Sequence, residues 1–201
     1  MSRLEEPNGP DPFTGGLPTL EGERVCLRMP RSEDAADVLR VFGDPEAMHY
    51  WSHGPLPDLD AARRYLDGID AGCRDRTLFQ WAITEPPNDR LVGTVTLYQW
   101  DRQCRRAEIG FMLARDRWGK GLATEAVRAV LAFAFDSEGM DLHRVEADVD
   151  PANEASLGLL HRVGFLDEGR LRDRWFTYGR WSDSILLGLL RSDYANGQSP
   201  S

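Results

Sequence analysis

Two glycines flanking a lysine mark the part of this chain best suited to hold an anion: Arg115-Asp116-Arg117-Trp118-Gly119-Lys120-Gly121-Leu122-Ala123-Thr124-Glu125-Ala126. The stretch closes a run of alternating apolar residues and opens a long apolar-periodic segment, which predicts a strand-to-helix junction. A helix start leaves about four backbone N–H groups without intrahelical acceptors, and the helix dipole adds partial positive charge there. Glycine lets an anion approach such a backbone closely. The spacing is not that of the nucleotide loops. Gly121 follows Lys120 where a Gly-x-x-x-x-Gly-Lys-Ser/Thr loop needs a hydroxyl, and Thr124 stands where Gly-x-Gly-x-x-Gly needs its last glycine. On these residues alone, Gly119 to Thr124 is either a cradle for a phosphorylated cofactor or a glycine turn that helps a strand and helix pack.

The elements that must position this loop follow from periodicity. Arg24 to Met29 alternates as a strand and Pro30 stops it. A helix with Ala35, Val38, Leu39 and Phe42 on one stripe follows, ended by Gly43-Asp44-Pro45, and a short helical turn runs through Met48. His49 to Pro55 is an aromatic-polar loop, and Asp58 to Ala71 a further helix. Thr77–Thr84, Leu91–Trp100 and Arg105–Leu113 read as strands with short connections, hence an antiparallel meander. A helix from about Gly119 to Ser137 buries Leu122, Ala126, Val130, Phe133 and Ala134. His143–Val149 is again a strand. Asn153 caps a helix that runs to Arg162, with Ser156 on the same side, and strands near Phe165–Leu171 and Trp181–Leu190 finish the chain. The order predicts an α/β (α+β) domain over residues 20–194, between a polar leader (1–19) and a short tail (195–201). Trp81, Trp100 and Trp181 are expected to pack in the core or on the sheet.

Composition narrows the partners. The chain has 201 residues, enough to bury one core, and carries a net charge of −9, which argues against nucleic acid and leaves room for a cationic substrate. No apolar run approaches the roughly 20 residues of a membrane span. Cys26, Cys73 and Cys104 are odd in number and lack a CxxC pair, so neither a disulfide framework nor a metal site is expected, and a cytoplasmic setting fits.

The loop and four further segments resemble the Gcn5-related N-acetyltransferase (GNAT) superfamily, in the branch containing the ribosomal-protein N-terminal acetyltransferases of RimJ/RimL type. Trp118-Gly119-Lys120-Gly121-Leu122-Ala123-Thr124-Glu125-Ala126 looks like its acyl-CoA pyrophosphate loop. Ala107-Glu108-Ile109-Gly110-Phe111 precedes it as the expected strand. Asp150-Pro151-Ala152-Asn153-Glu154-Ala155-Ser156 and Val163-Gly164-Phe165 bracket the later helix. Glu168-Gly169-Arg170-Leu171-Arg172 and Gly179-Arg180-Trp181-Ser182-Asp183 match the terminal strands. The likeness spans roughly Leu20 to Tyr194.

This resemblance implies a mixed, mostly antiparallel sheet of six to seven strands, splayed at its centre around acyl-CoA. It implies transfer of an acetyl group from acetyl-CoA to an amine by direct attack in a ternary complex, without a metal. The cofactor would be held by Met112, Leu113, Arg117, Trp118, Gly119, Lys120, Gly121, Leu122, Ala123, Thr124 and Asn153. A lysine-type ammonium, with a pKa of about 10.4, must lose a proton before it can attack, whereas an α-amine near 8 does so more readily. Glu108, on the strand face shared with Gly110 and Met112, is the expected base; a cross-strand ion pair is its other reading. Leu160 stands where many members carry an acidic tyrosine, so Ser156 is the candidate proton donor to sulfur, and amides near Phe111 to Leu113 the oxyanion donors. His49, Trp51 and Glu168 are expected to meet the acceptor, which the sequence leaves open among protein N-termini, amine antibiotics and polyamines. Monomer and homodimer both remain, as does the alternative of a CoA-binding module without turnover.

Overall fold

The computed structural model describes residues 11–197. Its strands are β1 (Leu20–Glu21), β2 (Cys26–Arg28), β3 (Leu78–Glu85), β4 (Asn88–Asp101), β5 (Arg106–Leu113), β6 (Arg144–Val149), β7 (Leu166–Thr177) and β8 (Arg180–Leu190). They form one sheet in the order β1-β2-β3-β4-β5-β6-β8-β7. All pairings are antiparallel except β5 with β6. The helices are α1 (Ala35–Phe42), α2 (Leu59–Arg74), α3 (Leu122–Phe135), α4 (Glu154–Arg162) and α5 (Arg191–Gly197).

Both faces of the sheet are covered because its central strands are apolar on both sides. β5 sends Ala107, Ile109 and Leu113 into the larger core, where they join Ala126, Val127 and Val130 of α3 and Leu160 of α4. It sends Met112 to the opposite face, against Val38 and Phe42 of α1 and Leu66 of α2. Each Val, Leu, Ile, Phe or Met side chain among them, fully buried, contributes roughly 1.5–3 kcal/mol. α2 starts where Asp58 accepts the Ala61 N–H at 2.8 Å as its N-cap.

The parallel pair is short. It holds through Arg106↔Arg144, Ala107↔Val145 and Glu108↔Glu146, and beyond that β5 and β6 separate. The sheet therefore opens at its centre, between two strands that each continue past the last paired residue.

The mixed sheet with flanking helices is the architecture the sequence implied, with an eighth strand supplied by the two-residue β1. Several boundaries differ; β7, for one, runs on to Thr177 instead of ending near Leu171. Gly119 and Gly121 precede α3 instead of starting it, because both take positive φ. The leader is not loose throughout: Phe13 is 2% exposed and stacks on Phe79 at 3.8 Å, and Trp81 donates to the Pro18 carbonyl at 2.8 Å. At the other end, α5 runs through the expected boundary at 194, with Tyr194 packed 5.1 Å from Phe135. Residues 1–10 of the leader and 198–201 of the tail lie outside the described residues. Trp181 is 62% exposed, against the expected packing, and meets only its hairpin neighbour Phe176 among the aromatic rings. No helix of the described residues is long and apolar enough to cross a membrane.

Candidate active site

The glycine loop leaves β5 through a short 3-10 turn, Arg115–Arg117. Gly119 and Gly121 then adopt φ of +72° and +78°, a region that costs an L side chain about 1–2 kcal/mol. Glu125 donates the first helical bond, to the Gly121 carbonyl at 3.1 Å. Between the Trp118 and Glu125 amides, none of the six N–H groups from Gly119 to Thr124 has an acceptor among the described residues. The helix start is pinned from below: Glu125 accepts from the Arg24 side chain at 2.9 Å and the Val25 amide at 3.2 Å, and Arg24 also donates to the Lys120 carbonyl at 3.0 Å. Six free amides at the positive end of a fourteen-residue helix suit a pyrophosphate.

The side chains around this cradle divide. Trp118 is 46% exposed and donates its indole N–H to the Leu113 carbonyl at 2.9 Å, which fixes the approach to the loop. Lys120 Nζ reaches the Asp116 carbonyl at 2.9 Å. Arg117 turns toward β3, where Glu85 accepts from it, and its neighbour Asp116 accepts from it as well, so its guanidinium is already engaged. Leu113 and Leu122 bury their side chains in the larger core and Met112 in the smaller one, so these three can meet a cofactor only through their backbone.

At the opening, the register places Gln80 beside Thr96 and Thr96 beside Gly110. Gly110 lies two residues past Glu108, as Asp148 lies two past its partner Glu146, so Gly110 and Asp148 stand on opposite lips of the gap. With no side chain, Gly110 leaves the floor of the gap clear. The Ala114 N–H bonds the Val92 carbonyl at 2.8 Å; by strand alternation the amides of Phe111 and Leu113 turn away from β4 into the opening.

Glu108 stands directly opposite Tyr98, whose hydroxyl donates to one carboxylate oxygen, while Gln99 Nε2 donates to the other at 2.9 Å. Gln99 reaches back because the register breaks after Tyr98 and its own φ is +52°. Burial pushes the Glu108 pKa up. The Tyr98 bond opposes that shift, the charges of Asp148 and Glu146 reinforce it, and Arg174 offsets part of it. A carboxylate held above its ordinary range where the sheet pairing ends is suited to take up a proton.

Asn153 caps α4, its Oδ1 accepting the Ser156 amide at 3.2 Å. The cap leaves Asn153 Nδ2 free to donate, and the half-buried Ser156 hydroxyl has no partner among the described residues. The capping role and a cofactor role are compatible because they use different atoms.

The loop after α1 meets the β7–β8 hairpin beside the opening. Tyr178 donates to the Met48 carbonyl at 2.9 Å, Arg180 lies 3.3 Å from His49 Nε2, and Tyr50 donates to the Ala152 carbonyl at 3.0 Å. His49 is exposed there, and Trp51 is half-buried with its ring 5.8 Å from Phe42. Glu168 departs from expectation. Arg144 binds both its oxygens and holds its carboxyl below the ordinary range, so it forms an ion pair within the sheet instead of offering a free group to an acceptor. The sequence reading missed Tyr98, Gln99 and Asp148. Alternation placed Tyr98 and Asp148 on strands, but only the register brings them to Glu108.

A family model described as "Acetyltransferase (GNAT) domain" matches residues 24–166. The uncharacterized N-acetyltransferase p20 of Bacillus licheniformis is 35% identical over 89% of this chain and 99% of its own. The spermidine N(1)-acetyltransferase of Vibrio cholerae is 26% identical over 86% of this chain and 96% of its own. A crystal structure of spermidine N-acetyltransferase from Vibrio cholerae in complex with CoA and spermine shares the fold, with a TM-score of 0.76 over 86% of this chain and 99% of that one, at 24% identity. The free amides before α3, the opening between β5 and β6 and these likenesses converge, and the chain belongs to the GNAT family as an acetyl-CoA-dependent N-acyltransferase.

Proposed function

We propose that the protein acetylates a primary amine on a cationic acceptor, by direct attack in a ternary complex with acetyl-CoA. The observation that carries this reading is the opening past Glu108↔Glu146, which has free helix-start amides at one end and an acidic group of raised pKa at the other. Bound acetyl-CoA supplies an activated acetyl thioester. The amides of Gly119 to Thr124 hold its pyrophosphate, and Asn153 Nδ2 donates to the pantetheine arm. Glu108 receives the proton that the ammonium must give up, and Tyr98 and Gln99 keep its carboxylate aimed into the channel. Amides of Phe111 and Leu113 donate to the thioester oxygen as negative charge grows there. Ser156 holds a proton on the sulfur side.

A cationic acceptor is favoured by the net charge of −9 and by the carboxylates Glu108, Glu146 and Asp148 around the gap. Three relatives named for spermidine acetylation fit that class. His49 and Trp51 line the entrance, and the catalytic domain extends from the packed segment around Phe13 through α5.

The test is thiol release from acetyl-CoA with a panel of alkylamines, polyamines, amine antibiotics and peptide N-termini. Release with cationic alkylamines supports the reading. Failure to bind acetyl-CoA in a calorimetric titration would sink it. Binding without release for any amine would point to a CoA-dependent regulatory module.

A further inference from the structure

The far lip of the opening carries a carboxylate that the proton transfer does not use. The Asp148 side chain is only 9% exposed. Its Oδ1 accepts from the Ser184 hydroxyl and, at 3.3 Å, from the Trp175 indole. Its Oδ2 accepts no hydrogen bond among the described residues and faces Arg174, whose Nε stands 3.6 Å away. That is too far for a hydrogen bond, and the Arg174 side chain is half exposed on the edge strand β7. The same guanidinium lies 5.6 Å over the Trp175 ring and close enough to Glu108 to draw its pKa down. One loosely held arginine therefore screens both carboxylates of the gap.

A carboxylate oxygen on so little-exposed a side chain gains from a donor that the described residues do not supply. A cationic group of the acceptor laid against Asp148 supplies that donor.

We propose that Asp148 and the Trp175 ring receive a second, non-reacting ammonium group of the acceptor, and that Arg174 stands in that place until the acceptor displaces it. The proposal rests on the acyl-transfer reading, in which Glu108 serves the nitrogen that reacts. Asp148 lies two residues beyond the level of Glu108, about 6.6 Å along a strand, within reach of a short methylene chain joining two nitrogens. An ammonium over indole is also a favourable cation–π arrangement. Asp148 and Trp175 are thus specificity-determining residues that favour diamines over monoamines.

Thiol release from acetyl-CoA, followed with diaminobutane and with butylamine for the wild type, Asp148→Asn and Arg174→Met, tests this. Diaminobutane binding to the CoA complex is titrated in parallel by calorimetry. Asp148→Asn should raise the KM for diaminobutane about tenfold or more, the loss expected when a hydrogen bond to a charged group goes, with a smaller effect on butylamine. Arg174→Met should lower the diaminobutane KM, because the competing cation is gone. A purely structural pair would move both variants in the same direction and lower both melting temperatures, which overturns the proposal. If butylamine is acetylated but the ratio of the two KM values moves in neither variant, the acyl-transfer reading stands and the Asp148 site falls. If neither amine is acetylated, that reading fails for these acceptors and calorimetry decides the site: opposite shifts in diaminobutane Kd sustain it, and unchanged Kd values remove it.

Discussion

Tyr98 and Glu108 face one another across β4 and β5, and the phenol gives its hydrogen bond to the carboxylate. That bond favours the charged form, while burial and the nearby Asp148 and Glu146 charges favour the neutral one, with a net upward shift. A base works only when deprotonated, so kcat rises as pH climbs through the Glu108 pKa in the complex. Tyr98→Phe removes a contribution that lowers this pKa, so the acid limb of the kcat profile should move to higher pH. A limb that stays in place or moves down would detach Glu108 from it.

Glu108→Gln keeps the shape of the side chain and removes the proton acceptor. Turnover should fall by roughly 10²-fold or more, the range for loss of a general base. The KM for acetyl-CoA should hold, because the cradle amides are untouched. Steady-state kinetics across pH separates the two, and an unchanged rate and profile would return Glu108 to a cross-strand structural role.

Gly121→Val tests the cradle. A Cβ at Gly121 meets Arg24 Nη2 at 3.3 Å, a neighbour that can yield, so the main obstacle is the φ of +78°. The penalty of about 1–2 kcal/mol for an L residue there converts to a roughly 5- to 30-fold loss of acetyl-CoA affinity if the loop relaxes to escape it. Calorimetry with CoA reads this directly, and full affinity would show that the loop amides do not depend on that conformation.

Asn153 has two functions on two atoms, which two substitutions separate. Asn153→Asp retains the oxygen that caps the Ser156 amide and loses the Nδ2 donor; Asn153→Ala loses both. Both should weaken acetyl-CoA binding. Only the alanine variant should lose the capping contribution, about 0.5–2 kcal/mol, in a denaturant melt. Equal stability losses in the two variants would contradict this division.

Phe13 lies before the first strand yet stacks on Phe79 and sits edge-on to Trp100 and Phe133, 5.8 Å from each. Phe13→Ala should cost about 3–5 kcal/mol, as for other buried aromatic truncations. Chemical denaturation checks this, and a loss under about 1 kcal/mol would mean the segment is a detachable leader after all.

The sequence was most informative where structure is local. The apolar spacing after Asp58 announced a helix, the alternation around Glu108 announced a strand with Gly110 and Met112 on the same side, and the glycines after Trp118 announced a strand-to-helix junction. Each depends on residues within a turn or two of one another, whose periodicity and backbone preferences are written in order along the chain. The tail was harder to read, because α5 is short and polar and is held by contacts such as Tyr194 with Phe135.

By itself the sequence determined the mixed sheet, the helix-start loop and the residue types available for acyl transfer. Tertiary structure decided which of those residues meet. The β5–β6 pairing stops at Glu108↔Glu146, and that places Asp148 across from Gly110 on the two sides of the gap. Arg144 and Glu85 claim Glu168 and Arg117, two residues whose types suited the site equally well. The physical reason is that strand register and ion-pair choice are competitions among distant partners. The order of residues supplies the competitors, and only the folded packing selects among them.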